Sequence, residues 1–312
     1  MLSISVVICS YTERRWDDFR RACESVERQL REGDELVVVI DHNEALLARS
    51  RADFPRAVVV ANAGEQGLSD ARNTGVETAG GDVVAFLDDD AVARPGWLDA
   101  LRGIFADAEV AVAGTAVVAD WAGGHPPRWF PAEFGWVVGC SYRGQPESRT
   151  TVRNPIGASM AVRRSVFAEV GGFSDAIGRV GATPVGCEET EFCIRVTAHD
   201  PARTVVLDPS AAVDHHVPAA RQTVGYFVRR CYHEGRSKRI VSLLRGATAG
   251  LSAERTYVRE TLPAAVVRGV AAAPRDPVGL VRAGVVVLGL GSTVLGYAVE
   301  SLRRGALTTA AG

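Results

Sequence analysis

The residues with the plainest capacity for chemistry are Asp88, Asp89 and Asp90, three carboxylates in a row behind the apolar run Val83-Val84-Ala85-Phe86-Leu87. That run, preceded by Gly80-Gly81, predicts a buried strand, so the acids fall where the strand leaves the core. Like charges this close repel, and either water or a divalent cation with oxygen ligands relieves them. The carboxyl end of a strand in an α/β sheet is also where ligands bind. The plain alternative is a solvated acidic turn. A second acidic group, Glu188-Glu189-Thr190-Glu191, heads a predicted helix that runs on through Phe192, Ile194, Arg195 and Val196. It could supply a general base, but glutamates also suit a helix N-terminus, worth up to about 1 kcal/mol each, so a structural role competes.

These acids need a scaffold, and the preceding chain predicts one. Strands are expected at 4–8, 36–40 and 57–60, with helical stretches between them, in the alternation of a parallel sheet with right-handed crossovers. A helix follows from Ser69, the expected N-cap, to Ala79. Another is marked by Trp97, Leu98, Leu101, Ile104 and Phe105 behind Pro95. Strands are then expected at 110–118, 156–162 and 204–207, the last leading to Asp214-His215-His216. Between 120 and 144 aromatic residues alternate with glycine and proline; they could line a site or form a small core of their own.

Charge divides the chain. From Val217 onward there are 14 basic and 5 acidic residues, which leaves 21 basic and 32 acidic before it, although the whole chain is only −2. We therefore expect two domains, 1–216 and 217–312. The second is a basic helical region suited to anionic lipid or a phosphate-bearing partner, and nothing in the net charge suggests nucleic acid. Its apolar segment near 280–299, flanked by Arg282 and Arg303-Arg304, sits at the lower length limit for a spanning helix. It could cross a membrane, lie in it or pack as a buried helix, and we expect membrane attachment. The six cysteines have no C-x-x-C spacing, and no signal peptide is evident before Ile4, so we expect reduced thiols in a cytosolic compartment.

G-x-G-x-x-G and G-x-x-x-x-G-K-[ST] are both missing, which argues against dinucleotide oxidoreduction and P-loop hydrolysis. A phosphorylated ligand held through a metal on the aspartates remains. Here the order Ile8-Cys9-Ser10-Tyr11, Asp41, Asp70-Ala71-Arg72-Asn73-Thr74-Gly75, Leu87-Asp88-Asp89-Asp90, Gly171-Gly172-Phe173 and Glu188-Glu189-x-Glu191-x-x-x-Arg195 resembles the family-2 glycosyltransferases of the GT-A fold, over roughly residues 3 to 216. Longer runs, such as Val152-Arg153-Asn154-Pro155-Ile156-Gly157, resemble a narrower group, the glucosyl-dolichyl-phosphate glucuronosyltransferase-like enzymes.

The resemblance implies an α/β fold with a Rossmann-like mixed sheet flanked by helices. It also implies an inverting, metal-dependent transfer from a nucleotide-sugar donor, read as UDP-linked, to a lipid-linked or glycan acceptor. The location would be the cytoplasmic face of the membrane, with peripheral or single-span attachment. Asp90 and Asp88 would hold Mg²⁺ or Mn²⁺, helped by His215, with His216 as its competitor, and Asp89 would stand beside the donor. Tyr11, Glu13, Asp41, Arg72 and Asn73 would contact the nucleotide. Glu189 would be the base, with Glu188 as the fallback. Trp136, Glu191, Arg195 and Arg230 complete the set as acceptor or phosphate contacts. Three departures from the family pattern stand out: Thr12 where Asn is common, His42 where a second acid is usual, and Glu189 where Asp is usual. A nucleotidyltransferase and a non-catalytic membrane scaffold are the alternative readings.

Overall fold

The computed structural model describes residues 2–174, 186–246 and 252–310. The chain divides into two compact units. The first comprises residues 2–118, 146–174 and 188–216, and the second residues 119–145, 186–187 and 217–310.

The first unit is built on a mixed sheet of nine strands: β1 (Ile4–Ser10), β2 (Glu35–Ile40), β3 (Val58–Ala61), β4 (Val83–Leu87), β5 (Ala91–Ala93), β6 (Val110–Trp121), β7 (Thr150–Thr151), β8 (Ser159–Arg163) and β9 (Thr204–Val217). Their order is β3-β2-β1-β4-β8-β6-β9-β5, with β7 paired to β9. The strands β1 to β4 are parallel to one another, whereas β8 runs antiparallel to β4 and β6. Near-continuous apolar runs such as Leu36–Ile40 and Val83–Leu87 are what a sheet covered on both faces requires. The helices α1 (Trp16–Glu27), α2 (Glu44–Asp53), α3 (Leu68–Thr78), α4 (Trp97–Phe105), α5 (Arg164–Val170) and α6 (Glu188–His199) accompany it. One core cluster joins Val7, Val39, Phe86 and Met160 of the sheet to Phe167, Phe173 and Phe192. Gly75 lets α3 lie close to β1, since a Cβ there would run into Val7.

Three details differ from the sequence reading. The N-cap of α3 is Gly67, which offers no side chain, and Ser69 lies inside the first turn. Pro95 precedes the left-handed cap Gly96 of α4 and so stands outside that helix. The expected 204–207 strand continues without a break to Val217, because β5, too short to be visible as Ala-Val-Ala, pairs with its far end.

In the second unit the aromatic stretch supplies a core. Phe134 lies 5.1 Å from Phe227, Trp121 lies 5.2 Å from Phe130, and Tyr142 lies 5.5 Å from Tyr257, measured between ring centroids. Helix α7 (Val224–Arg245) and the helices Ser252–Thr256, Leu262–Ala272 and Val278–Ala310 follow. The terminal helix packs along α7 at glycine contacts: a Cβ on Gly235 would run into the Thr293 carbonyl, and one on Gly296 into that of Tyr232. Arg236 Nε and Glu300 Oε2 pair at 2.9 Å beside this crossing. No disulfide forms among the described residues.

Candidate functional site

Sheet register assembles the acidic site. The β1–β4 ladder pairs Val7 with Phe86, so three residues further on Ser10 meets Asp89, and its hydroxyl donates to the Asp89 carboxylate at 2.7 Å. The β5–β9 ladder pairs Ala91 with His215, which brings the His215 ring to Asp90, with Nε2 3.2 Å from Oδ1. Alternation along β9 then sends the two histidine side chains to different environments. His215 is buried beside Asp90, while the backbone N–H of His216 donates to the Asp90 carbonyl at 2.7 Å. Asp88, Asp90 and His215 each offer a ligand atom, and these atoms all lie within 4.8 Å of one another. Two carboxylates and an imidazole fit a divalent cation such as Mg²⁺ or Mn²⁺ that also takes diphosphate oxygens.

Arg15 stands against two of these acids. Its guanidinium lies 3.0 Å from Asp89 Oδ2 and 3.0 Å from Asp90 Oδ2, and 5.3 Å from the Tyr11 ring centroid. Its Nε is buried with no hydrogen-bond partner. Burial pushes the Asp89 carboxyl up to about 7 even though Arg15 pulls the other way. Nothing in the spacing of Arg14-Arg15-Trp16 marked Arg15 as part of a site. The signal lay in its place just past the end of β1, the strand beside β4.

The two acidic groups are joined by Arg72. This side chain of α3 is 3% exposed, and its guanidinium lies 3.1 Å from Glu188 Oε1, 3.4 Å from Asp88 Oδ1 and 3.2 Å from the Gly157 carbonyl. It also lies over the rings of Phe86 and Phe173. Burial disfavours its charge, but Glu188 and then Asp88 more than offset that, and the group is held protonated. Glu188 is thereby committed to an ion pair, with its Oε2 buried and unpartnered, while the adjacent Glu189 is half-buried. Helix geometry turns successive side chains about 100° apart, so the neighbours cannot share one environment.

The remaining expected residues fall into distinct places. Tyr11 is 43% exposed and Glu13 is exposed at the start of a 3₁₀ turn, Glu13–Arg15, capped by Thr12. Asp41 is buried and accepts from Asn62 Nδ2 at 2.7 Å and the Gly67 N–H at 3.1 Å, with His42 Nδ1 2.8 Å away. Asn73 exchanges two hydrogen bonds with the Phe173 backbone, at 2.9 and 2.8 Å. Arg195 grips Glu191 at 2.9 Å and donates to the Val170 and Gly172 carbonyls, anchoring the turn after α5 to α6. In the second unit, Trp136 Nε1 donates to the Tyr257 hydroxyl at 3.1 Å, and Arg230 pairs with Glu234 at 2.8 Å.

Residues 5–171 match Glycosyl transferase family 2. The chain belongs to that family. Among curated relatives of this glycosyltransferase is the glucosyl-dolichyl phosphate glucuronosyltransferase of Haloferax volcanii, 38% identical over 247 residues that cover 78% of each chain. The pre-mycofactocin glycosyltransferase of Mycobacterium tuberculosis is 30% identical over 187 residues, 57% of this chain and 37% of that one. Two solved structures share the fold. The mannosyltransferase PcManGT from Pyrobaculum calidifontis, in complex with GDP-Man and Mn²⁺, superposes with a TM-score of 0.56 at 15% identity, covering 93% of this chain and 86% of that one. GalNAc-T7, with UDP, GalNAc and Mn²⁺, gives 0.53 at 17% identity over 80% of this chain, which spans 54% of that longer one. The glycosyltransferase therefore has a GT-A fold, and both structural neighbours were solved with Mn²⁺.

Proposed function

We propose that this glycosyltransferase moves a sugar, with inversion and with a divalent cation bound, from a nucleoside-diphosphate donor to a lipid-linked acceptor at the cytoplasmic face of a membrane. The observation that carries this reading is the convergence of Asp88, Asp90 and His215 at the carboxyl end of β4, tied through Arg72 to the acidic head of α6. A cation on the first group, Mg²⁺ or Mn²⁺, would neutralise the departing diphosphate. Glu189, left half-buried while Glu188 pairs with Arg72, takes the proton from the acceptor hydroxyl. The acceptor oxygen then bonds to the anomeric carbon from the face opposite the donor diphosphate, whose bond to that carbon breaks. Tyr11, Glu13, Asp41 and Asn73 are assigned to the nucleotide side, and Trp136, Glu191, Arg195 and Arg230 to the acceptor side or to holding that side in place.

The name of the Haloferax relative supports a glucuronosyl-type donor, read here as UDP-linked from the family resemblance, and an acceptor of the sugar-bearing dolichyl phosphate kind. The basic second unit and its apolar terminal helix support attachment to the membrane that carries such a lipid. A panel of nucleotide sugars with purified protein and Mn²⁺ or Mg²⁺, scored for nucleoside diphosphate release, tests the activity. Release should require the cation and should be lost in Asp90→Ala and in Glu189→Gln while the circular dichroism spectrum is unchanged. Full activity in either variant removes that residue from its role, and pyrophosphate release would replace the reading with nucleotidyl transfer.

A further inference from the structure

The terminal helix, Val278–Ala310, wears its apolar residues on the wrong side for a protein in water. Leu280, Val281, Val287, Leu288, Val294 and Leu295, with Leu302 two turns on, are between 43% and 75% exposed. Gly284, Gly291 and Ala298 fill the gaps, so every exposed position from 280 to 302 is apolar or glycine. The polar residues Ser292 and Glu300 are instead buried on the opposite face. Within Val278–Arg303, an 18-residue window has a mean hydropathy of 1.9, and 28% of that window is buried. A core helix of a water-soluble protein can be as apolar, but it is mostly buried.

The buried face decides how this stripe meets lipid. Along that face runs α7, brought close by Gly235 and Gly296 and paired through Arg236 and Glu300. Helix α7 carries Arg229, Arg230, Glu234, Arg236, Lys238 and Arg239, and the charged pairs Arg230–Glu234 and Lys238–Glu254 are among its contacts. A spanning terminal helix would have to carry this helix and its ionised side chains into the hydrocarbon, where each charge is costly, or tear the contact open. Lying flat requires neither.

Resting on the membrane attachment proposed above, we propose that the terminal helix lies in the plane of the membrane, sunk to half its thickness in the headgroup and acyl boundary of an anionic leaflet. The stripe from Leu280 to Leu302 faces the chains, and α7 remains on the aqueous side. From 280 to 302 the stripe is about 33 Å long, far larger than an isolated surface hydrophobe. Val267 and Val270 of the neighbouring Leu262–Ala272 helix, 66% and 52% exposed, extend the apolar surface, because Gly269 and Gly279 allow these two helices to touch. Arg255, Arg259, Arg275 and Arg303 are exposed in the same unit and give it the charge that an anionic surface attracts. The side chain of Arg304 lies outside the described residues.

The test places a single nitroxide-labelled cysteine at Val281, Leu288 or Leu295 in the full-length protein, the unsubstituted chain giving the background from its own cysteines. Depth is measured by oxygen and nickel-chelate accessibility on vesicles of phosphatidylcholine and phosphatidylglycerol in equal parts. A flat helix puts all three labels at one shallow depth, about 5–10 Å below the headgroups. In the same assay Leu288→Glu with Leu295→Glu should weaken vesicle binding at least about tenfold, with secondary structure intact. A spanning helix would instead separate adjacent labels by about 10 Å of depth, which overturns the flat placement but keeps membrane attachment. Three labels shielded from both reagents in a lipid-free dimer would mean that a second copy covers the stripe, and this also overturns it. Three labels in water would remove membrane attachment along with the inference, while leaving the transfer activity to its own assay.

Discussion

The Arg72 guanidinium sits 3.1 Å from Glu188, 116 residues further along the chain, with both side chains buried, and it ties the two acidic groups together. Removing one member of such a pair leaves a buried charge alone. Arg72→Met should cost roughly 3–5 kcal/mol of stability, read as a lowered denaturation midpoint, and should abolish transfer. Adding Glu188→Leu removes the stranded carboxylate and should restore much of the stability without restoring activity. If activity returns with stability, Arg72 serves folding alone.

Arg15 pairs with Asp89 and with Asp90, one of the three residues that could hold a cation. We propose that a cation bound there would compete with the guanidinium for the Asp90 carboxylate. Arg15→Ala should tighten Mn²⁺ binding, followed by loss of the free-ion electron paramagnetic resonance signal, by about tenfold, the equivalent of about 1.4 kcal/mol. Unchanged or weaker binding would show that Arg15 does not compete.

The second unit offers a pH test. Burial pushes the Glu234 carboxyl up, but Lys238 and Arg230 more than reverse this and bring it down from 4.5 to about 2. An acid whose folded value is depressed stabilises the fold fully above its unfolded value and loses that contribution as pH falls through the folded one. The stability advantage of the unsubstituted protein over Glu234→Gln should therefore be flat above about pH 5 and shrink between pH 4.5 and 2. A difference that is constant with pH across this window would exclude the ion pairs as its origin.

Gly235 and Gly296 are where α7 and the terminal helix come closest. Gly235→Leu should force the two apart and cost at least about 1–3 kcal/mol. Gly225, near the start of α7 with no atom within 4 Å of an added Cβ, provides the control, and Gly225→Ala should be neutral or slightly stabilising. Equal thermal shifts for the two variants would mean that the glycine crossing carries no packing.

What could be read in the sequence was what local pattern dictates. The strand ending in Asp88-Asp89-Asp90 and the helix headed by Glu188-Glu189 announce themselves by apolar runs that stop in charge, and family resemblance supplied their order. Arg15 and the tie from Arg72 to Glu188 were not legible, because both depend on which strands become neighbours. Short β5 was hidden for a related reason: Ala91-Val92-Ala93 is a strand only because the far end of β9 passes beside it. The aromatic stretch from Trp121 to Tyr142 was ambiguous until Phe227 and Tyr257 arrived from distant sequence to complete its core.

The long-range ties around the site also set an order of events. Asn73 reaches Phe173 across 100 residues, Arg72 reaches Glu188 across 116, and Arg94 reaches Asp214 across 120. The ladders joining β1, β2 and β3 close over much shorter stretches. Closing long loops is slow because their entropy is lost before the contacts reward it. On the ribosome, the early strands can pair while Asp88, Asp89 and Asp90 still wait for His215 to be synthesised. The chain can therefore pass through a stage in which its scaffold exists and its candidate site does not.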